Sequence, residues 1–173
     1  MYTIISATHR AGSNTRKVAE IYLQIMQDQG IEVQLLSLED LPHDFVFTDS
    51  FGKRTKRFQQ IIDQYIVPAT KFIIIAPEYN GGMPGILNAF IDAVNPEPFR
   101  GKKVALVGVS TGRGGNMRGM EHFSNCLHYL GVFVYPKHVP LSQVMPMLTV
   151  KGGEEEEYLR SSIKRQVEGF AKY

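Results

Sequence analysis

The chain has a single cysteine, Cys126, and no tryptophan among its 173 residues. One cysteine cannot form an internal disulfide or a multi-cysteine metal site, and this composition is typical of a reducing compartment. No run of about 18 apolar residues occurs, so we expect no transmembrane helix. The first residues also lack the charged and then apolar pattern of a signal peptide, and we therefore expect a cytoplasmic protein.

An excess of charge of one sign is missing as well. Nineteen Lys and Arg against 17 Asp and Glu give a net charge of +2, which is too balanced for a dedicated binder of nucleic acid or of an anionic membrane. Repeats, low-complexity tracts and Pro- or Ser-rich linkers are absent, and the length suits about one domain. We therefore predict one domain over residues 1–173, with no nucleic-acid or membrane partner.

Short apolar segments alternate along the chain with segments of helical periodicity. Strands are predicted at residues 2–6, 31–38, 72–76, 103–109 and 132–135. Helices are predicted at residues 18–30, 58–66, 84–94, 120–130 and 154–172. Continuous apolar strands that alternate with helices indicate a parallel sheet covered on both faces. The predicted fold is α/β: a flavodoxin-like three-layer αβα sandwich with a five-stranded parallel sheet in the order 2-1-3-4-5.

Ligands of such sheets bind beyond the carboxyl ends of the strands, where the winding direction reverses. The loops that follow the first, third and fourth strands are residues 7–15, 77–83 and 110–116. We expect these three loops to meet in one crevice. They are also the loops with the most unusual composition, and this coincidence predicts a binding site there.

The first loop joins a strand to the start of a helix, where free N–H groups and the helix dipole suit a phosphate. Ser13, Asn14 and Thr15 add short polar side chains, and Arg10 adds a fixed charge with fork geometry. Ordinary N-capping by these residues is the alternative interpretation. The loop has neither the spacing of a Walker phosphate loop nor that of the dinucleotide glycine fingerprint, which disfavours nucleoside triphosphates and a Rossmann-type NAD site.

The second and third loops are rich in glycine. Residues 77–85 contain two prolines and three glycines, and residues 110–116 contain three glycines. Glycines allow a flat ligand to approach main-chain amides closely, and Tyr79 is suited to pack on an aromatic ring. Structural turns without a ligand are the alternative for both loops.

Residues 108–112 also match the G-x-S-x-G nucleophile elbow of hydrolases, with Ser110 as the nucleophile. The strand–turn–helix context fits this alternative. Against it, no aspartate follows Asp92, so the acid would have to be Glu121 or lie in the terminal helix. The HGGG-type oxyanion segment is absent too, and the chain is short for that fold.

Residues 77–92 read PEYNGGMPGILNAFID and resemble the PEYN-x-x-x-PG-x-L-x-N-x-ID signature of the NADPH-dependent FMN reductases, a family with quinone, azo-dye and chromate reductase relatives. The first loop is similar to the family's GS-x-R-x-x-S-x-N and the third to its SPGR-x-GG. The resemblance extends over residues 1 to about 140. Departures are Ala7-Thr8 for Gly-Ser, Thr15 for Asn, Asn88-Ala89 for Lys-Asn and Ala93 for Trp.

The resemblance implies non-covalently bound FMN, a flavodoxin-like fold and a homodimer or homotetramer. Carried over by position, the phosphate would be held by Thr8, Arg10, Ser13 and Thr15, with Asn14 beside them. The isoalloxazine would be lined, largely through backbone groups, by Pro77, Glu78, Tyr79, Asn80 and Gly81. Its other side would be closed by Ser110, Thr111, Gly112, Arg113 and Gly115.

The implied activity is transfer of hydride from NAD(P)H to bound FMN and on to a small-molecule electron acceptor such as a flavin, a quinone, an azo compound or a metal oxyanion. The cofactor supplies the chemistry, so we nominate no side chain as acid, base or nucleophile. A flavodoxin-like electron carrier is the alternative, but Arg10 and the net charge favour the reductase. The identity of the acceptor and the choice between NADH and NADPH stay open.

Other residues receive simpler interpretations. None of the five histidines has metal-ligand spacing, since His122 and His128 lie six apart on one predicted helix. Cys126 is predicted to be a buried small hydrophobe. Aromatic residues between the second strand and the second helix are predicted to form a lid, a dimer contact or part of the core; they are Phe45, Phe47 and Phe51. The apolar helix at residues 84–94 is expected to contribute to a dimer interface.

Overall fold

A computed structural model describes residues 1–173 and contains one parallel sheet flanked by helices. The strands are β1 (Tyr2–Ser6), β2 (Val33–Ser37), β3 (Lys71–Pro77), β4 (Lys103–Val109), β5 (Phe133–Val134) and β6 (Val139–Leu141). Their order is β2-β1-β3-β4-β5, and β6 also pairs with β4. Every pairing is parallel, so the predicted fold and strand order are confirmed.

The two central strands explain why the sheet forms. In β3 and β4 every residue after the first lysine is buried, and nearly all of these residues are apolar. Strands of this kind are stable only between two covering layers. Ile73 and Ile75 pack under α1 and α7, whereas Phe72 and Ile74 pack under the helices of the opposite face.

The predicted fifth strand is present, but a sixth strand that was not predicted follows it. β5 pairs with Lys103 and Val104 alone, and the chain then leaves the sheet and returns as β6 beside Val107–Val109. Pro136 lies shortly after β5, and Pro140 is the middle residue of β6. Proline has no N–H to donate to a strand ladder, which confines it to the edge of a sheet. The edge therefore consists of two short strands.

The helices are α1 (Asn14–Asp28), α2 (Phe45–Thr48), α3 (Lys56–Ile61), α4 (Gly85–Ala93), α5 (Met117–Tyr129), α6 (Val144–Thr149) and α7 (Glu154–Lys172). A 3₁₀ turn covers Leu38–Asp40, and α3 continues into a π-helical turn at Ile62–Ile66. All five predicted helices are present. α2 and α6 were not predicted, because four and six residues are too short to show a periodic pattern. A membrane-spanning segment needs more length and more apolar character than any of these helices combines.

The aromatic residues before α3 divide into two kinds. Phe45 is buried and stacks on Phe58 of α3, with ring centroids 5.6 Å apart. Phe47 and Phe51 are 90% and 95% exposed. The core interpretation is therefore right for Phe45 and wrong for the other two. Cys126 is only partly buried, against the same core.

Lysines at the amino ends of β3 and β4 bind the ends of neighbouring helices. Lys71 Nζ donates to the carbonyl oxygens of Phe170 and Ala171, at 2.8 and 3.0 Å. Lys102 Nζ donates to those of Ile66 and Val67, at 2.6 and 2.9 Å. Cations at helix carboxyl ends satisfy free carbonyl groups and oppose the helix dipole. This end of the sheet is therefore fastened to the helices on both faces.

Candidate functional site

The three loops meet, as predicted, at the carboxyl ends of β1, β3 and β4. They form a cleft of about 500 Å³, which is within the usual range for a small-molecule site. The cleft is lined by Arg10, Ala11, Gly12, Ser13, Asn14, Thr15, Pro77, Glu78, Tyr79, Val109, Ser110, Thr111, Val144 and Met145. The topology thus brings segments that are far apart in sequence to one place.

The first loop presents the start of α1 to the cleft. Ser13 is the N-cap, and its Oγ accepts a hydrogen bond from the N–H of Arg16 at 3.1 Å. The N–H groups of Asn14 and Thr15 have no partner within the chain. Capping and ligand binding are therefore compatible here, since the cap occupies one N–H group and leaves two for an anion beside Arg10.

A pair of hydroxyl groups joins the first loop to the second. Thr8 Oγ1 lies 2.8 Å from the hydroxyl of Tyr79, and it also accepts from the N–H of Arg10 at 3.2 Å. Thr8 is 1% exposed and does not line the cleft, whereas Tyr79 does. Thr8 thus fixes the position of Tyr79 from behind the cleft.

The second loop ends in a tight turn at Asn80 and Gly81. Tyr79 and Gly82 exchange two main-chain hydrogen bonds of 3.0 Å, and φ is 52° at Asn80 and 75° at Gly81. Positive φ at both central residues is the signature of a type I′ turn, for which Asn-Gly is the favoured pair. Asn80 and Gly81 form the tip of this turn and lie outside the cleft lining.

Glu78 and Asn116 connect the second loop to the third. Glu78 Oε2 accepts from the N–H of Asn116 at 2.9 Å, and Asn116 Nδ2 donates to the carbonyl oxygens of Ala76 and Pro77 at 3.3 and 3.0 Å. Asn116 is buried, with φ of 57°, a conformation that Asn tolerates better than most residues. Asn116 was not among the predicted site residues. The sequence signal that could have indicated it is an Asn that follows two glycines at a strand-to-helix turn.

The hydroxyl of Ser110 makes its hydrogen bonds within its own loop. Ser110 Oγ donates to the carbonyl oxygen of Gly112 at 2.8 Å and accepts from the N–H of Gly115 at 2.9 Å. Neither partner is a histidine, so the geometry lacks the base that a hydrolase nucleophile requires. These two bonds fix the conformation of the third loop.

A fourth segment, which the sequence analysis missed, completes the cleft. Val144 and Met145, at the start of α6, line it. The N–H of Val144 donates to the carbonyl oxygen of Ser110 at 3.0 Å, and Asn14 Nδ2 lies 3.1 Å from Met145 Sδ. Asn14 and Met145 are 131 residues apart, so no local pattern indicates this contact.

Nine of the fifteen predicted site residues line the cleft: Arg10, Ser13, Asn14, Thr15, Pro77, Glu78, Tyr79, Ser110 and Thr111. The other six lie behind or beside it: Thr8, Asn80, Gly81, Gly112, Arg113 and Gly115. Arg113 is exposed, and Gly112 accepts hydrogen bonds from Ser110 and Gln143 through its carbonyl oxygen. The structure contains no group of three His, Cys, Asp or Glu side chains placed to hold a metal ion.

The fold and the cleft define the class: a flavodoxin-like α/β protein with an anion-accepting helix start at the switch point of its sheet. Residues 2–145 match the family described as NADPH-dependent FMN reductase, and the chain belongs to that family. It is therefore an FMN-dependent NAD(P)H oxidoreductase, with FMN as cofactor and NAD(P)H as co-substrate.

One curated relative is similar in sequence along most of the chain, and solved structures share the fold. The chain is 28% identical to an NAD(P)H-dependent FMN reductase of Pseudomonas aeruginosa over 96% of its own length and 90% of that protein. Its fold matches an apo NADH:FMN oxidoreductase with a TM-score of 0.77, at 19% identity, over 95% of this chain and 86% of the other. It also matches FerB of Paracoccus denitrificans, an NAD(P)H:(acceptor) oxidoreductase, with a TM-score of 0.74, at 20% identity, over 99% and 97% of the two chains.

Proposed function

We propose that this chain passes reducing equivalents from NAD(P)H, through FMN in the cleft, to a small acceptor such as a free flavin, a quinone or an azo compound. We further propose that residues 1–173 act as one FMN-binding domain of a cytoplasmic homodimer. The observation that carries the proposal is the pair of free N–H groups at the start of α1, which lie beside Arg10 in the cleft that Tyr79 also lines. This cradle suits the phosphate of a flat nucleotide.

Each part of the cleft has a separate task in this proposal. The N–H groups of Asn14 and Thr15, with the Arg10 guanidinium, bind the phosphate. The turn at Asn80 and Gly81, which lies beside the cleft lining, would present its main-chain groups to the ring. Tyr79, fixed by Thr8, forms one wall.

The cleft offers little acid–base chemistry of its own. Arg10, Glu78 and Tyr79 are the ionisable side chains that line it, and the Glu78 carboxylate is engaged by the N–H of Asn116. FMN supplies the hydride-accepting ring when it is bound. The residues of the chain bind and orient the reactants, and this supports the prediction that no side chain acts as acid or base.

Arginine substitution tests the phosphate site. We expect Arg10→Ala to weaken FMN binding about ten- to a hundredfold, because a hydrogen bond to a charged group contributes about 1.5–3 kcal/mol. The control is Arg16→Ala, since Arg16 lies outside the cleft lining and its side chain pairs with Glu20. Titration with FMN, followed by its visible spectrum, measures both variants. Equal affinity in Arg10→Ala and the wild type would contradict the assignment.

The homodimer rests on exposed apolar residues beside α4. On α4 itself Leu87, Phe90 and Ile91 are buried within the chain, which accounts for much of the apolar character of that helix. The neighbouring segment that contains α2 carries the exposed Phe47 and Phe51. We therefore place the dimer contact on this segment together with the remaining surface of α4.

Light scattering tests the dimer. We expect the wild type to be dimeric at micromolar concentration and the double variant Phe47→Asp, Phe51→Asp to be monomeric. Tyr129→Asp is the control, because Tyr129 is 91% exposed at the far end of α5. A monomeric wild type would contradict the proposal.

Turnover separates the reductase from an electron carrier. We expect the purified protein with FMN to oxidise NAD(P)H continuously when a quinone is supplied. A carrier would need a separate reductase to do so. Comparing a flavin, a quinone and an azo dye as acceptors in the same assay then ranks them by kcat/KM.

A further inference from the structure

A second groove, here called the edge groove, lies between α7 and the segment that joins β5 to β6. Its volume is about 420 Å³, and it shares no lining residue with the cleft described above. This volume is again in the range of small-molecule sites. The FMN chemistry leaves the edge groove without a role.

Positive charge exceeds negative charge in the edge groove. Lys137, Arg165 and Lys172 line it, and Glu168 is the one carboxylate among its lining residues. None of these three cationic side chains forms an ion pair or a hydrogen bond within the chain. Three cations against one carboxylate favour an anionic occupant.

The hydroxyl group of a largely buried tyrosine opens into the same groove. Tyr135 is 7% exposed, lines the groove and has no hydrogen-bond partner for its hydroxyl within the chain. Its ring is held against Phe170 and Tyr173, with centroids 5.6 and 5.3 Å apart. The hydroxyl lies against Gly169, where a Cβ atom would overlap it. Because this hydroxyl reaches the groove and has no partner within the chain, it is free to donate a hydrogen bond to a ligand.

The spacing along α7 indicates the size of that ligand. Tyr158, Arg165 and Lys172 follow one another at seven-residue intervals, so they lie on one face of the helix. The rise per residue places Tyr158 roughly 10 Å from Arg165 along the axis. Tyr158 is 52% exposed and offers an aromatic surface. A ligand that contacts both residues has an anionic end and a flat end.

From these features we infer that the edge groove binds a nucleoside phosphate, as a site separate from the FMN cleft. The phosphate groups lie between Arg165 and Lys172 and accept hydrogen bonds from Lys137 and from the hydroxyl of Tyr135. The base packs on Tyr158. This inference concerns a second site and does not depend on the identity of the electron acceptor.

Calorimetric titration with ADP tests the inference. The protein is first saturated with FMN, so that ADP cannot occupy the cleft at α1. We expect saturable ADP binding that Arg165→Glu weakens at least tenfold. Lys164→Glu is the matched control, because Lys164 is the adjacent residue, undergoes the same charge change and lies outside the groove. Tyr135→Phe removes only the hydroxyl, and we expect it to weaken ADP binding about two- to tenfold.

Three outcomes would overturn the inference. The first is the absence of saturable ADP binding to the FMN-loaded protein. The second is an equal loss of ADP affinity in Arg165→Glu and Lys164→Glu. The third is binding of inorganic phosphate as tightly as ADP. The last would remove the role of Tyr158. The FMN spectrum of each variant reports separately on the cleft, so failure at the edge groove is distinguishable from failure of the proposed reductase function.

Discussion

At the amino ends of β3 and β4, lysine side chains occupy the free carbonyl groups of neighbouring helices, whereas at the carboxyl ends main-chain N–H groups of α1 stay without partners. One end of the sheet satisfies its polar groups internally, and the other keeps them for a ligand. Substitutions at the two ends should therefore separate stability from binding.

The largest effect is expected at Gly81. A β-branched residue at φ of 75° is strained, so Gly81→Val should disturb the type I′ turn and lower both FMN affinity and turnover at least tenfold. Gly152→Val is the matched control, because Gly152 has φ of 71° and equally open surroundings but lies before α7, away from the cleft. FMN titration and NAD(P)H oxidation with a quinone measure both. Equal losses in the two variants would show that general destabilisation is the cause.

The opposite end should behave in the reverse way. Lys102→Ala removes two hydrogen bonds to carbonyl oxygens and should lower the free energy of unfolding by about 1–2 kcal/mol, while FMN affinity stays within twofold of the wild type. Urea denaturation and FMN titration measure these quantities, with Lys53→Ala as an exposed control. If Lys102→Ala lost FMN affinity without losing stability, the proposed difference between the two ends of the sheet would be contradicted.

Ser110→Ala should have a smaller effect at the binding end. The hydroxyl makes two hydrogen bonds within the third loop, so we expect FMN affinity to fall by no more than about tenfold and substantial reductase activity to remain. Ser124→Ala, which loses a buried hydroxyl on α5, is the control. Ester hydrolysis that disappears in Ser110→Ala, in a wild type that does not oxidise NAD(P)H, would restore the hydrolase alternative.

The smallest effect concerns pH at the amino end. Burial lowers the pKa of Lys71 and of Lys102, and Lys103 adds repulsion at Lys71. Between the lowered pKa and the ordinary value of 10.5, the unfolded chain binds more protons than the folded chain, so stability rises with pH in that interval. Lys102→Ala should reduce this rise. Urea midpoints at neutral pH and just below pH 10.5 measure it, and an unchanged slope would contradict the prediction.

The sequence predicts those features of the fold and the cleft that depend on residues close together in the chain, and it misses those that depend on contacts between distant residues. β3, β4 and α1 are encoded locally, by apolar runs and helical periodicity, and they were predicted, although α1 begins at Asn14 and the predicted helix at residue 18. The turn at Asn80 and Gly81 is also local. These features account for the sheet order and for most of the cleft.

The features that were missed depend on distant contacts. Glu78 binds Asn116, which is 38 residues away, and α6 reaches the cleft by pairing with the third loop. α6 contains Pro146 and is too short for a periodic signal. The exposure of Phe47 and Phe51 was likewise undetermined, because three aromatic residues in a short segment do not reveal which one enters the core.

The divided edge of the sheet has a consequence for behaviour in concentrated solution. The carbonyl oxygen of Leu141 accepts a hydrogen bond from the N–H of Ser110, so the main-chain groups of Leu141 face β4. Successive residues of a strand alternate in direction, so the main-chain nitrogen of Pro140 faces the outside of the sheet, where proline has no N–H to donate. Lys137 and Pro136 lie in the gap between β5 and β6. Short strands, prolines and a charged side chain deprive an incoming strand of a continuous template. This edge therefore resists the strand-by-strand stacking that begins fibrillar aggregation.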